Sequence, residues 1–255
     1  MNRPIVMGII NATPDSFYDG GRYRDLVARA NTLITEGADW IDVGGESTRP
    51  GAELVSTEEE LNRVLPLIEQ ISEFATVSID TTKPEVAEAA HRAGATILND
   101  VQGLQNPKMM EVSALFKKTI IMHSRGRPAN MQQLTQYDSI VEEVTSWLLQ
   151  QAQQCLSQEI WLDPGIGFAK TAEQSLTLVR HLDQFVALDY PILLGASRKS
   201  FIGRLLGNRS TDQRLAGSLA AVAAGWNAGV KAFRVHDVQE TRDVLDFLQA
   251  TSREE

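Results

Sequence analysis

The stretch IWLDPGIGFAK, residues 160–170, places a charged side chain at the end of an apolar run. Ile160 to Leu162 read as a buried strand, and the Pro and Gly residues after Asp163 predict a sharp turn. A carboxylate at the end of a buried strand is costly to remove from water unless something meets it there. The stretch therefore indicates a strand whose end faces either an ion-pair partner or a bound molecule.

The same pattern of a short apolar run and a following segment with helical spacing recurs along the 255-residue chain. The runs are IVMGII (5–10), WIDV (40–43), TVSI (76–79), TIL (96–98), TIIM (119–122), IWL (160–162), ILLG (192–195) and AFRV (232–235). Eight strand–helix pairs at roughly 30-residue spacing predict a parallel sheet that closes into a barrel. A doubly wound open sheet is the alternative, but it more often carries a Gly-rich dinucleotide turn after its first strand, which NATPDSFYDGG is not. We predict a single-domain (β/α)8 TIM barrel over residues 1–255.

Composition and charge narrow the class of protein. The formal net charge of −9 argues against a nucleic-acid partner, because phosphate recognition needs a positive field. No apolar run is long enough to span a bilayer, so we expect no membrane association. The lack of an N-terminal signal and a single cysteine, Cys155, which has no intramolecular partner, predict a cytoplasmic protein.

Polar residues collect at the C-terminal ends of the predicted strands, where barrels of this type carry their chemistry. They are Asn11, Asp42 to Arg49, Asp80, Asn99, Asp100, His123, Asp163, Ser197 to Ser200, Arg234, His236 and Asp237. Taken singly, Asp80 and Asp237 resemble helix N-caps, and an ion pair with a structural arginine would explain Asp163. Asp80, Asn99 and Asp163 follow three different strands, however, and together they predict a pocket for a ligand with a row of N–H donors.

A basic cluster is expected at the end of the last two strands. Arg234 and His236 are two positions apart and therefore share a face of the last strand. The loops after strands 7 and 8 form the usual phosphate site in these barrels, and Ser197 to Ser200 add donors there. This cluster predicts an anion site in spite of the negative net charge.

The motifs at all eight strand ends resemble those of the dihydropteroate synthases. In order they are MGIINATPDSFYDGG, IDVGGESTRPGA, SIDTTKPEVA, ILNDV, MHSRGRPANMQ, DPGIGFAK, GASRKSFIG and RVHDV. The family condenses 6-hydroxymethyl-7,8-dihydropterin pyrophosphate with para-aminobenzoate to dihydropteroate and pyrophosphate in folate synthesis. A pterin-binding methyltransferase would not need SRKSFIG or ESTRPG, and an inactive pterin-binding paralogue should have lost Asn11, Asp15, Thr48 or Arg49. A sugar-phosphate barrel enzyme would leave the strand-end acids unexplained.

The resemblance implies a role for each site residue. The pterin would be held by Asp80, Asn99, Asp163 and Lys199, the pyrophosphate by Arg234, His236 and Asn11, and para-aminobenzoate by Thr48, Arg49, Pro50, Phe168, Lys199 and Ser200. Asn11 would also contact Mg²⁺, a hard cation that prefers oxygen ligands. Catalysis would rest on Asp80, which stabilises a developing pterin cation, on Arg234 and His236, which together with Mg²⁺ neutralise the departing pyrophosphate, and on Lys199. The family is usually homodimeric, and the same assembly is implied here.

One prediction concerns the order of binding. The segments NATPDSFYDGG (11–21) and GGESTRPGAELVS (44–56) are long for strand-to-helix connections, which usually run about 2–6 residues. Their Gly, Pro, Ser and Thr content predicts that both are mobile in the free protein. We therefore expect pyrophosphate and Mg²⁺ to draw them in before para-aminobenzoate binds. Calorimetric titration of para-aminobenzoate should show tight binding only with both present, and equally tight binding without them would demonstrate a preformed pocket.

Overall fold

The strands form one closed, entirely parallel sheet. The computed structural model describes residues 3–13, 22–48, 51–52 and 54–252. The strands are β1 Ile5–Asn11, β2 Trp40–Gly44, β3 Thr76–Asp80, β4 Ile97–Asp100, β5 Lys118–Met122, β6 Glu159–Asp163, β7 Leu193–Leu194 and β8 Ala232–Val235. They pair in the order β6-β5-β4-β3-β2-β1-β8-β7, and a parallel bridge between Leu162 and Ile192 joins β6 to the start of β7. The predicted TIM barrel is confirmed.

Helices connect the strands on the outside of the barrel. They are α1 Arg22–Thr35, α2 Thr57–Ile71, α3 Pro84–Arg92, α4 Pro107–Ser113, α5 Ile140–Ala152, α6 Ala172–Arg180, α7 Leu182–Val186, α8 Ser200–Leu205, α9 Leu215–Ala228 and α10 Val238–Thr251. Their ends follow local chemistry: the Ser56 hydroxyl accepts the Glu59 N–H at 3.1 Å, and Gly229 ends α9 with φ +95°. In the described ranges, none of these helices combines the length and apolar character needed to cross a bilayer.

A layer of apolar side chains fills the N-terminal half of the barrel. This layer, here called the barrel floor, consists of Met7, Trp40, Ile97, Ile120, Trp161, Leu193 and Ala232. The rings of Trp40 and Trp161 meet edge to face, with centroids 5.1 Å apart. A larger apolar core lies between the outer face of the sheet and the helices. The floor therefore closes one end of the barrel to water.

A second layer lies directly above the floor and is mostly polar. Successive inward side chains on a strand are two residues apart. The residue two positions after each floor residue therefore also points into the barrel, one layer higher. The residues two positions after floor residues include Asp42, Asn99, Met122, Asp163, Gly195 and Arg234. In five strands the residue thus changes from apolar in the floor to a charged residue, an amide or glycine in the layer above it.

The floor should be a major source of stability. Replacing Trp161 with Ala removes a side chain with 4% exposure and its contact with Trp40, so the free energy of unfolding should fall by about 3–5 kcal/mol. Urea unfolding followed by far-UV circular dichroism measures this change. Phe247→Ala, at a position 68% exposed, is the control and should change the free energy of unfolding by less than about 0.5 kcal/mol. Equal losses in both variants would contradict the role of the floor.

Candidate active site

Asp163 ends β6 inside the barrel, with 3% of its surface exposed. Its Oδ1 accepts the backbone N–H of Gly165 at 2.7 Å, in the turn that follows the strand. Its Oδ2 lies beside Gly195, where a Cβ atom would be 3.4 Å away. Burial raises the pKa of Asp163, and the positive charges of Lys199 and Arg234 oppose that rise. One carboxylate oxygen is thus held by the turn, while the other lies in the polar layer.

Arg234 binds two carboxylates at the centre of the polar layer. Its Nε donates to Asp42 Oδ2 at 2.6 Å, and its Nη2 donates to Asp80 Oδ2 at 2.8 Å. The Nδ2 of Asn99 lies 3.3 Å from Asp42 Oδ2, which extends the network to β4. The structure therefore brings together side chains from β2, β3, β4 and β8. It also shows that Asp80 binds an arginine instead of capping a helix.

The protonation equilibria of this layer depart from ordinary values. Burial raises the pKa of Asp80 to about 7; Arg234 opposes this rise, and the carboxylate of Asp42 adds to it. Burial opposes the charge of Arg234, but the carboxylates of Asp42 and Asp80 outweigh that effect and raise its pKa. Burial lowers the pKa of Lys199 to about 8, although Asp163 acts in the other direction. Asp80 and Lys199 therefore change charge close to neutral pH, as groups at catalytic sites commonly do.

Lys199, which follows β7, reaches towards the turn after β6. Its Nζ donates to the carbonyl oxygen of Ile166 at 2.5 Å and lies 4.8 Å from the ring centroid of Phe168. A Cβ atom on Gly195 would lie 3.8 Å from Lys199 Nζ and 3.9 Å from Arg234 Cβ. Asp163, Lys199 and Arg234 therefore all lie close to Gly195, a position that carries no side chain.

A second lysine, Lys170, is buried beneath the same turn, with 3% exposure. Its Nζ donates to the carbonyl oxygens of Phe168 at 2.9 Å and His123 at 3.3 Å, and lies 2.9 Å from His123 Nδ1. Burial lowers the pKa of Lys170 well below its usual value, and burial together with Lys170 lowers the pKa of His123 to about 2. His123 is therefore neutral, and Lys170 ties the turn that carries Phe168 to the end of β5.

The loop after β7 is held against the end of β8. Arg198 has a left-handed φ of +55°, and its Nε and Nη2 donate to the two carboxylate oxygens of Asp237 at 2.9 and 2.5 Å. Asp237 occupies the N-cap position of α10, as its sequence position predicts, but its side chain binds Arg198 and makes no cap hydrogen bond to the helix. The Ser197 hydroxyl accepts the backbone N–H of His236 at 3.2 Å and lies 3.0 Å from its Nδ1. These contacts fix the orientation of His236 next to the polar layer.

The residues predicted for the aromatic acid are only partly brought together. Thr48 and Phe168 line one cavity of about 270 Å³ beside the barrel mouth. Ser200 is exposed and is the first residue of α8, away from that cavity lining. Arg49 and Pro50, and with them Asp15, lie outside the described residues. Of the residues predicted for this pocket, the structure therefore brings Thr48 and Phe168 together at one cavity.

Asn11, the predicted metal ligand, is the last residue of β1 and is half-buried. It pairs in register with Gly44 of β2, so it stands at the C-terminal edge of the sheet. Among the described residues, no group of three His, Cys, Asp or Glu side chains is arranged to hold a metal ion. A metal at Asn11 would therefore take most of its ligands from a bound substrate and from water.

Asp42 and Lys170 are buried charged residues of the site to which the sequence assigned no role. Asp42 carried a signal, because it lies two positions after Trp40 in the middle of an apolar strand and therefore points inward. Lys170 carried none, because its burial results from the turn after β6 folding onto His123. A Cβ atom on Gly165 would lie 1.9 Å from the His123 carbonyl oxygen, which shows how closely the two segments meet.

Comparison with known proteins gives the family. The model of the pterin binding enzymes matches residues 7–236. The dihydropteroate synthase of Escherichia coli (strain K12) is 42% identical over 98% of this chain and 93% of its own length. The structure of Xanthomonas albilineans dihydropteroate synthase with 4-aminobenzoic acid has a TM-score of 0.92 at 41% identity, covering 100% of this chain and 95% of that one. The Thermus thermophilus enzyme in complex with 6HMPPP has a TM-score of 0.85 at 37% identity, with 98% and 94% covered. The chain belongs to the dihydropteroate synthase family of pterin-binding enzymes.

Proposed function

We propose that this protein condenses 6-hydroxymethyl-7,8-dihydropterin pyrophosphate with para-aminobenzoate, giving 7,8-dihydropteroate and pyrophosphate for folate synthesis. The observation that carries the proposal is the convergence of Asp163, Lys199 and Arg234 around Gly195, above a closed apolar floor. The choice of substrates is supported by the complexes of the Xanthomonas and Thermus relatives with 4-aminobenzoic acid and 6HMPPP.

The pterin ring fits the polar layer through its hydrogen-bonding edge. The 2-amino group and N3–H are parallel donors, and the carboxylate of Asp163 is the matching acceptor. Asn99 offers an amide donor and acceptor to the other ring atoms, and Lys199 offers a donor. The ring therefore supplies the partner that a buried carboxylate at the end of β6 requires.

The pyrophosphate group belongs at the end of β8. Arg234 supplies positive charge, His236 supplies a hydrogen-bond donor, and Asn11 stands at the end of the neighbouring strand β1. The side-chain oxygen of Asn11 fits Mg²⁺, which commonly keeps few protein ligands and binds mainly substrate phosphates and water. Mg²⁺, when bound, supplies further positive charge against the pyrophosphate.

The reaction breaks the bond between the pterin methylene carbon and the pyrophosphate oxygen, and joins that carbon to the arylamine nitrogen, which loses a proton. The pterin ring delocalises positive charge, so the transition state is loose and cation-like. The ionised carboxylate of Asp80 stabilises the developing cation, while Arg234 and His236 neutralise the departing charge. No side chain needs to form a covalent intermediate.

The arylamine is proposed to bind between the turn after β6 and the loop after β7. Lys199 lies over the ring of Phe168 at 4.8 Å, so the two side chains present a polar and an apolar surface side by side. Ser200 at the start of α8 supplies a donor for the carboxylate. Thr48 lines the cavity beside Phe168, and the family resemblance implies that Arg49 and Pro50 also contact the arylamine. We also infer a homodimer in the cytoplasm, as the family resemblance implies, and sedimentation of the purified protein tests the dimer.

The function is tested by a pyrophosphate-release assay. Release should require the dihydropterin pyrophosphate and para-aminobenzoate together, and mass spectrometry should find dihydropteroate as the product. A pterin-binding methyltransferase would release no pyrophosphate, and an inactive paralogue would bind the pterin without turnover. Either result would refute the proposal.

Asp163→Asn should weaken pterin binding while leaving the fold intact. The substitution keeps the shape of the side chain but turns an acceptor into a donor that faces the donors of the pterin. A buried unsatisfied donor costs about 1–3 kcal/mol, so affinity should fall about tenfold or more. Calorimetry with a pterin that lacks pyrophosphate measures the loss. Asp183→Asn, at an exposed position of α7, is the matched control, and equal affinity in both variants would refute the assignment of Asp163.

His236→Ala should separate anion recognition from pterin recognition. Loss of this donor should weaken binding of the pyrophosphate substrate about tenfold, because a hydrogen bond to a charged group contributes about 1.5–3 kcal/mol. Binding of the pterin without pyrophosphate should not change. In Arg234→Ala the two losses should be more alike, because Arg234 also organises Asp42 and Asp80. Equal losses for both ligands in His236→Ala would contradict the anion role.

A further inference from the structure

A small void adjoins Asp80 at the end of β3. Its volume is about 10 Å³, and it is lined by Glu46, Thr48, Glu60, Asp80, Thr81 and Thr82. The lining therefore combines three carboxylates with three hydroxyl groups. The void joins β3 to the N-terminal part of α2, two elements that the proposed reaction does not otherwise connect.

Two carboxylate oxygens at this void are buried and have no hydrogen-bond partner among the described residues: Glu60 Oε1 and Asp80 Oδ1. The second oxygen of each group is engaged, because Glu60 Oε2 pairs with Lys83 and Asp80 Oδ2 accepts from Arg234. A buried acceptor without a donor is unfavourable. Each of the two oxygens therefore calls for a donor, and the void that both residues line is where such a donor can lie.

A single water molecule meets this requirement. A void of this size holds one water, and a buried water usually makes about three hydrogen bonds. Water has two hydrogens, one for Glu60 Oε1 and one for Asp80 Oδ1, and its own oxygen accepts from a threonine hydroxyl. Thr81 is suited to this, since its Oγ1 already accepts the Lys83 N–H at 3.2 Å and its hydroxyl hydrogen can point elsewhere.

A cation fits the same place less well. Lys83 already forms ion pairs with both Glu46 and Glu60, which supplies the positive charge for that pair. In the described part of the chain, no three acidic or other metal-binding side chains are grouped as metal ligands would be. Neutral water therefore matches the charge of the site.

We propose that one water molecule bridges Glu60 Oε1 and Asp80 Oδ1, and that Glu60 acts through it as a positioning residue for Asp80. The inference rests on the proposed function for the role of Asp80 in catalysis. The bridge keeps Asp80 Oδ2 directed at Arg234 and the pterin. It also places the negative charge of Glu60 next to a carboxylate that has to be ionised when the pterin cation develops.

The charges around Asp80 support this role. Arg234 faces it from β8, and the carboxylates of Asp42 on β2, Glu60 on α2 and Asp100 on β4 face it from the other sides. The charge of Asp80 also acts on Lys199, which follows β7. Lys83 and Glu46 lie beyond Glu60, where Lys83 pairs with both glutamates. Burial raises the pKa of Asp80 to about 7, Arg234 lowers it, and Asp42, Glu60 and Asp100 each raise it. Glu60 thus helps to set the pH at which Asp80 becomes ionised.

The residues around Glu60 bury its side chain, unlike those of its acidic neighbours. Glu60 is 1% exposed, whereas Glu58 and Glu59 in the same turn of α2 are exposed. A Cβ atom on Gly45 would lie 2.8 Å from Glu60 Cγ, so the glycine makes room for this side chain. Acidic residues stabilise the N-terminus of a helix without being buried, so the burial of Glu60 has another cause.

Glu60→Gln tests the proposal in the free protein. The variant keeps the shape, removes the charge, and leaves Glu46 to pair with Lys83. The titration of the Asp80 carboxyl is followed by carbon-13 NMR of side-chain-labelled aspartate, and Asp80→Asn identifies the signal. Because a like charge is removed, the titration midpoint should fall by about one pH unit. The acid limb of the pH profile of kcat/KM should move to lower pH by the same amount.

Glu58→Gln is the matched control, because it makes the same charge change at an exposed position of the same helix, and it should move neither curve. A role for Glu60 as a mere anchor for Lys83 predicts a lower melting temperature in Glu60→Gln with an unmoved Asp80 midpoint, and that result would overturn the proposal. The NMR titration needs no turnover, so absence of synthase activity would refute the proposed function alone.

A high-resolution crystal structure of the wild-type protein is independent of any variant. It should show a water within about 3.2 Å of both oxygens, and a direct protein contact to Glu60 Oε1 would overturn the bridge.

Discussion

The ion pairs between Arg234 and the carboxylates of Asp42 and Asp80 are the interaction on which the site depends. Together with Asp163 these carboxylates lie in the centre of a barrel, where each unpaired charge would be strongly unfavourable. Arg234 meets two of them, and the charge of Lys199 acts on the third. Without Arg234, two buried carboxylates would repel each other across the mouth of the barrel. The same arginine therefore makes the polar layer possible and supplies its principal cation.

The polar layer is sharply defined because it stands on an apolar one. Five of the strands change from Trp, Ile, Leu or Ala in the floor to a polar residue or Gly within two positions, so hydration ends at a fixed depth. Two residues in the loops that complete the site also carry local backbone strain. Arg198 and Ala169 both adopt left-handed backbone conformations without being glycine, and both lie next to site residues. The floor thus sets the depth of the site, and two of the five non-glycine residues with positive φ in the described ranges lie in the loops that complete it.

Much of this could be predicted from the sequence because it depends on local patterns. The eight apolar runs predicted the strands, and Asp163 after IWL marked the end of one. Interactions between segments distant in sequence were harder to predict. Lys170 is buried only because a turn meets the end of β5, Asp237 binds Arg198 across two loops, and Glu60 resembles an ordinary acidic residue in the first turn of a helix. Such side chains become identifiable only when the element that packs against them is known.

Arg234 also explains how one side chain can serve both the protein and the substrate. A guanidinium group has five N–H donors in a rigid plane. Among the described residues, Arg234 donates from Nε to Asp42 and from Nη2 to Asp80, so Nη1 and the second Nη2 hydrogen point elsewhere. Under the proposed function, these donors are available to an incoming pyrophosphate while the ion pairs that hold the group in place stay intact. Because the orientation of the cation is fixed before the substrate arrives, little reorganisation is needed as negative charge builds up on the leaving group.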